Sequence, residues 1–285
     1  MHHYNWGIIV ALDLFLAGLS AGLFLFAVFA ERYGGELYKK AANVSAKIAP
    51  WPACLGVLLL ILDLGKPLRF WEMILQHGEG LLMFKISSMM SLGIWFLSIF
   101  VALSVVYAGI TILDLPLKKI RSLAGTVNIP FAVLVTVYTG VLIAATANPL
   151  WNNWLLPALF STSAMATAVA GIIFILTMKD RNSESTDASV IKLEKINSKI
   201  LALQLIITVL YFIISLFIAP KQLVAGSVLG VILWILILGA GLLIPLKYTF
   251  KGESNKPKIS FGISALVILG GFFMRYIILI GGQVF

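Results

Sequence analysis

The sequence predicts an all-α integral membrane protein of eight transmembrane helices, packed as two four-helix bundles. Three observations carry that expectation. Of 285 residues, 60% are hydrophobic and 12% charged, whereas about a quarter of the residues of an ordinary soluble domain are charged. Apolar runs near or beyond the roughly 18–20 residues that cross a hydrocarbon core recur along the whole chain. These runs do not alternate apolar with polar residues, as the strands of a membrane β-barrel must.

The first run, 6–30, is too long for the apolar stretch of a cleaved leader and reads as a true span. The second, 48–64, holds Pro50 and Pro52 near its start, where proline is tolerated. Spans at 88–112, 127–147 and 156–178 follow, and the polar, charged stretch 179–199 reads as a long loop. Spans at 200–219, 225–246 and 259–281 complete the set. The chain is thus one membrane domain, 1–285, with helices one to five in 1–178 and helices six to eight in 200–285. Gly18-x-x-x-Gly22 and Gly226-x-x-x-Gly230 are spacings that let helices approach closely. Trp51, Trp71, Trp151 and Trp154 fall at span ends, where aromatic anchors are expected.

A net charge of +9 would point a soluble protein toward nucleic acid. Here the basic residues lie in loops, and topology accounts for them. Sixteen of the 21 fall after the first, third, fifth and seventh spans: Arg32, Lys39, Lys40, Lys47; Lys118, Lys119, Arg121; Lys179, Arg181, Lys192, Lys195, Lys199; Lys247, Lys251, Lys256, Lys258. The positive-inside rule makes those loops, 179–199 included, cytoplasmic and both termini external. Cys54 is the only cysteine, so the chain has neither an internal disulfide nor the thiolates of an iron–sulfur cluster. His2, His3 and His77 lie outside the apolar runs, which leaves no pair of histidines to hold a haem within the membrane.

Ionisable residues inside a span are expensive and mark function unless they pair. Asp13 lies about seven residues into the first helix, roughly 10 Å below the outer surface at ~1.5 Å per residue. Arg275 lies at a comparable depth in the eighth helix, Asp63 closes the second beside Lys66 and Arg69, and Tyr138 is near the middle of the fourth. The chemistry is therefore expected in the outer half. Plainer readings exist: an interfacial ion pair at Asp63, a snorkelling or helix-locking Arg275, a core tyrosine at 138. Asp13 is the hardest to explain structurally.

Five stretches resemble the NrfD/PsrC family of membrane subunits from polysulfide-reductase-like respiratory complexes. They are WGIIVALDLFLAGLSAG from Trp6, DLGKPLRFW from Asp63, SMMSLGIW from Ser88, YTGVLIAATANPLWNNWLLPALF from Tyr138 and GGFFMRYIILIGG from Gly270. Each is weak alone; five in order across the chain are specific. The resemblance implies an eight-helix, quinone-reactive subunit of an oxidoreductase in the cytoplasmic (inner) membrane of a prokaryote. Its cofactor would be a quinone, menaquinone rather than ubiquinone, with no haem or iron–sulfur cluster in this chain. Its partners would be a ferredoxin-like iron–sulfur subunit docking on the outer side, over the 65–85 loop, and a catalytic, molybdopterin-containing subunit. Asp13 and Tyr138 are then the expected headgroup ligands and proton-exchanging groups. Asp63 with Arg69 forms an expected gate, Arg275 is the partner of a carboxylate, and Gly18 and Gly140 allow close approach to the ring or a neighbouring helix. Two other classes remain on the residues alone: a secondary transporter or ion-translocating subunit, with matching helix interruptions in both halves, and an inert anchor, which would not need Asp13 or Arg275.

The charge asymmetry gives a direct test. A reporter inserted at Lys192 should be cytoplasmic and one fused to the C-terminus external; a cytoplasmic C-terminus would overturn the assignment of sides.

Overall fold

The computed structural model describes residues 6–63, 89–146, 148–179, 187–224, 227–251 and 257–283. These residues contain eight helices long and apolar enough to cross a membrane. The first span is α1, Ile8–Tyr33, followed by α2, Gly35–Ile48, and α3, Pro50–Asp63, which together make the second. Next come α4, Met89–Ile112; α5, Lys118–Ala144; α6, Leu155–Lys179; and α7, Ala188–Ile218. A single turn, α8, Pro220–Leu223, precedes the seventh span, built from α9, Val228–Leu236, a π-helical stretch Ile237–Leu243 and α10, Ile244–Lys251. The eighth span is α11, Pro257–Gly281.

Three helices begin earlier than hydropathy suggests, and for one physical reason. Polar residues that look like loop carry a small-residue or polar face that packs. In α2 the buried residues are Ala41, Ala42, Ser45 and Ala46, a helical stripe facing α1, where the Ser45 hydroxyl donates to the Leu23 carbonyl at 2.7 Å. The basic residues of the same segment, Lys39 and Lys40, lie exposed. In α5, Asn128 is fully buried and donates to Ser104 Oγ at 2.9 Å and to the Phe100 carbonyl at 3.1 Å. The stretch 179–199 is a loop only in part, since the helix α7 is already formed at Ala188 and buries Ser189, Val190, Leu193, Glu194 and Asn197.

α1 and α6 run through the middle. A buried cluster toward the basic end joins Phe24 and Val28 of α1 to Phe100 and Tyr107 of α4 and to Ala168 and Ile172 of α6. A second cluster, toward the ends that carry the termini, joins Ala11 and Leu14 to Leu156, Leu159 and Phe160 and to Ile277 and Ile278 of α11. Both clusters therefore draw on the first and fifth spans, and the two sets of helices share them. The termini themselves are clasped: the Trp6 N–H donates to Gln283 Oε1 at 3.0 Å, and Gln283 Nε2 donates to the Trp6 carbonyl at 2.9 Å.

Trp151 corrects the reading of the tryptophans. It is buried, stacked on Trp6 with ring centroids 5.3 Å apart, and its indole N–H donates to the Ile278 carbonyl at 2.8 Å. Trp154 and Trp51 are the exposed ones. Trp71 and Gly226 lie outside the described residues.

The α1–α6 contact depends on small residues. A Cβ added at Gly22 would sit 2.7 Å from both the Ala164 carbonyl oxygen and the Ala168 Cβ, a distance that backbone cannot yield. Gly262 on α11 has nothing within 4 Å of the same position. Gly22→Val should therefore destabilise by about 1–3 kcal/mol or more, while Gly262→Ala is neutral or stabilises by up to about 1 kcal/mol. Thermal unfolding of the two purified variants checks this; equal melting temperatures would contradict it.

Candidate functional site

Asp13 is 7% exposed, and one carboxyl oxygen, Oδ1, accepts no hydrogen bond among the described residues. A buried acceptor without a partner forfeits its hydration with nothing in return. The carboxyl lies against α3 at Gly56, where an added Cβ would stand 2.7 Å from Oδ1. Glycine there is a requirement of space: any side chain would push the carboxylate out of its position.

Tyr138, half-buried on α5, lies against α4 in the same way. Its phenol ring and hydroxyl occupy the space that a Cβ on Gly93 would take. The first two spans thus set a carboxylate, and the third and fourth a phenol, each over a glycine of the neighbouring helix. The sequence reading missed Gly56, and Gly93 entered only as a motif letter. The available signal was a single glycine within a run of large apolar residues, facing a buried polar group.

Arg275 is elsewhere. It is fully buried, with Nη1 donating to Ser163 Oγ and to the Gly271 carbonyl, both at 3.0 Å, and Nη2 donating to the Phe160 carbonyl at 3.1 Å. Its guanidinium lies over the rings of Phe15, at 5.6 Å, and Phe160, at 5.1 Å. The expected carboxylate partner is not found: among the described residues no acid pairs with it, and neutral oxygens and aromatic faces hold the charge. Helix geometry explains why. Gly18 lies about 140° and Phe15 about 200° around α1 from Asp13, at ~100° per residue. Phe15 and Gly18 face Arg275, and an added Cβ on Gly18 would sit 3.1 Å from Nη2. Asp13 and Arg275 therefore lie on opposite sides of the first helix.

The other expected residues divide. Gly140 packs against α6, where an added Cβ would meet Pro157 N at 2.8 Å and the Leu156 carbonyl oxygen at 2.9 Å, so its close approach is to a neighbouring helix. Asp63 is the last residue of α3, and its side chain falls outside what is described. Arg69, with Lys66 and the rest of the 65–85 loop, lies outside the described residues.

Together these observations define a polytopic helical membrane protein with a buried carboxylate, Asp13, toward the face that carries its termini. A family model described as "Polysulphide reductase, NrfD" matches residues 1–285, and the chain belongs to that family. It is 28% identical to a polysulfide reductase component of Wolinella succinogenes, over 100% of this chain and 97% of the relative. It is 26% identical to the protein NrfD of Escherichia coli, covering 98% and 95%. It is also 23% identical to a selenate reductase subunit of Mesobacillus selenatarsenatis, covering 98% and 74%.

Proposed function

We propose that this chain is the quinone- or quinol-reactive membrane subunit of a multi-subunit respiratory oxidoreductase. The observation that carries the reading is the Asp13 carboxylate, buried with an unpartnered oxygen over Gly56. Two relatives bear the names of reductase components, which supports a membrane partner of a catalytic subunit.

The residues suit a quinone. The orphaned Oδ1 is an acceptor that a quinol hydroxyl satisfies, and the phenol is a donor that a quinone carbonyl accepts. When bound, the quinone supplies the two-electron chemistry, taking up or giving up two protons as it turns over. Asp13 holds or releases a proton at its carboxyl, and Tyr138 orients a carbonyl oxygen through its hydroxyl. Gly56 and Gly93 keep both groups in place by leaving them room. Arg275, on the far side of α1, does not touch this pair; its contribution is the positive field of a buried cation and the locking of α6 to α11.

Electrons come from or go to a neighbouring subunit. The partner is a ferredoxin-like iron–sulfur protein docked on the face that carries the termini, external by the distribution of charge, and behind it stands a catalytic subunit of the molybdopterin class. Asp63 and Arg69, at the end of the second span and just beyond it, form the exit from the site toward that face.

Replacing Asp13 with asparagine keeps size and hydrogen bonding and removes proton exchange. Asp13→Asn should leave the complex assembled and dye-linked activity at the catalytic subunit intact, while quinone-linked turnover falls about 10²-fold or more. Rates measured with dye and with quinone on one preparation make the comparison. Unchanged quinone turnover per assembled complex would remove Asp13 from the proton path.

A further inference from the structure

The sixth span carries a feature that the Asp13 site does not use. Along α7, the residues Glu194, Asn197, Leu201, Gln204, Thr208, Tyr211 and Ser215 are all buried, at alternating steps of three and four residues. That spacing is one face of a helix. All of its members but Leu201 are polar or carry a polar tip. The opposite face, with Leu203, Ile206, Leu210, Ile213 and Phe217, is exposed and suits lipid. A span that turns its polar face inward and its apolar face outward has a polar interior to meet.

The interior groups are not all satisfied by protein. Gln204 is 3% exposed; its Nε2 lies 3.8 Å from Met274 Sδ, a weak acceptor, and its Oε1 has no partner. Arg275, the residue after Met274, is 0% exposed and has an unpartnered Nε–H. A buried, unpaired acceptor thus belongs to a side chain that touches Met274, and a buried, unpaired donor belongs to the next residue of α11. Asn197, 6% exposed and two turns toward the basic end, leaves Oδ1 unpartnered on the same face. Between them Leu201 packs among Ala166, Ala170, Leu242, Leu246 and Val267, a single apolar turn dividing the seam.

We propose that this seam binds internal water beside Gln204, Met274 and Arg275. Buried water is held by otherwise unsatisfied polar groups, and two to four of them suffice. Water at this site gives the Arg275 guanidinium the hydration that no carboxylate supplies. The proposal stands apart from the quinone reading, because it concerns a different face and needs no turnover.

The test is radiolytic labelling of the full chain in lipid nanodiscs, in which an X-ray pulse makes hydroxyl radicals from water wherever water is bound. Met274 is 0% exposed, so only internal water places radicals beside it; Met178, 54% exposed, reports the surface. The expected result is that Met274 is oxidised in the native chain and falls to background in Gln204→Leu, while Met178 is oxidised equally in both. Gln204→Glu, which keeps the acceptor and the shape, should retain the Met274 label. An unlabelled Met274 in the native chain overturns the proposal, with no variant needed. So does equal labelling of Met274 in the native chain and Gln204→Leu.

Discussion

Gly18 and Gly22 bring the backbones of α1 and α6 together, and that contact fixes how the first helix is turned. With Gly22 seated against Ala164 and Ala168, the α1 face bearing Phe15 and Gly18 looks toward α6 and α11. Asp13 then has nowhere to point but the other way, toward α3. Attraction between opposite charges would favour a buried Asp13–Arg275 pair, but helix packing decides otherwise. In a membrane interior, close van der Waals packing of small residues is a principal force holding helices together. The bundle keeps that packing and solves its two charges separately.

The solutions differ. Arg275 is held by three hydrogen bonds to neutral oxygens and by two aromatic faces. Hydrogen bonds to a charged group are worth about 1.5–3 kcal/mol each, so this cation is a structural lock between the fifth and eighth spans. Asp13 has no such shell on Oδ1. A carboxylate left short of partners in a buried place is suited to receive a ligand's proton or hydroxyl. The glycines beneath Asp13 and Tyr138 hold the pair without blocking either group.

The eight spans were legible because their apolar runs exceed the thickness of the hydrocarbon, and the family because its motifs are spread across the whole chain. Asp13 and Tyr138 stood out as polar groups in apolar surroundings, and each is seated over a glycine of the neighbouring helix. What the sequence concealed was rotation. Asp13 and Arg275 share a depth, and depth alone suggests a pair; only the helical angle set by Gly18 and Gly22 separates them. Concealed too were the polar faces of α2 and α7. Their serines, alanines and Glu194 read as loop by hydropathy and pack as helix by periodicity. Trp151 misled for a related reason, since a tryptophan at a span end is an anchor by position, yet this one packs inward upon Trp6.

On the proposed reading, the α1 face carrying Asp13, and not the face toward Arg275, meets the quinone. A photoactivatable quinone bearing the reactive group on its ring, cross-linked in native membranes and mapped by peptide mass, measures this directly. Labels are expected on the peptides that contain Asp13, Gly56, Gly93 or Tyr138, suppressed by excess unlabelled quinone. Quinone-suppressible labels confined to the peptides around Ser163 and Arg275 would contradict it.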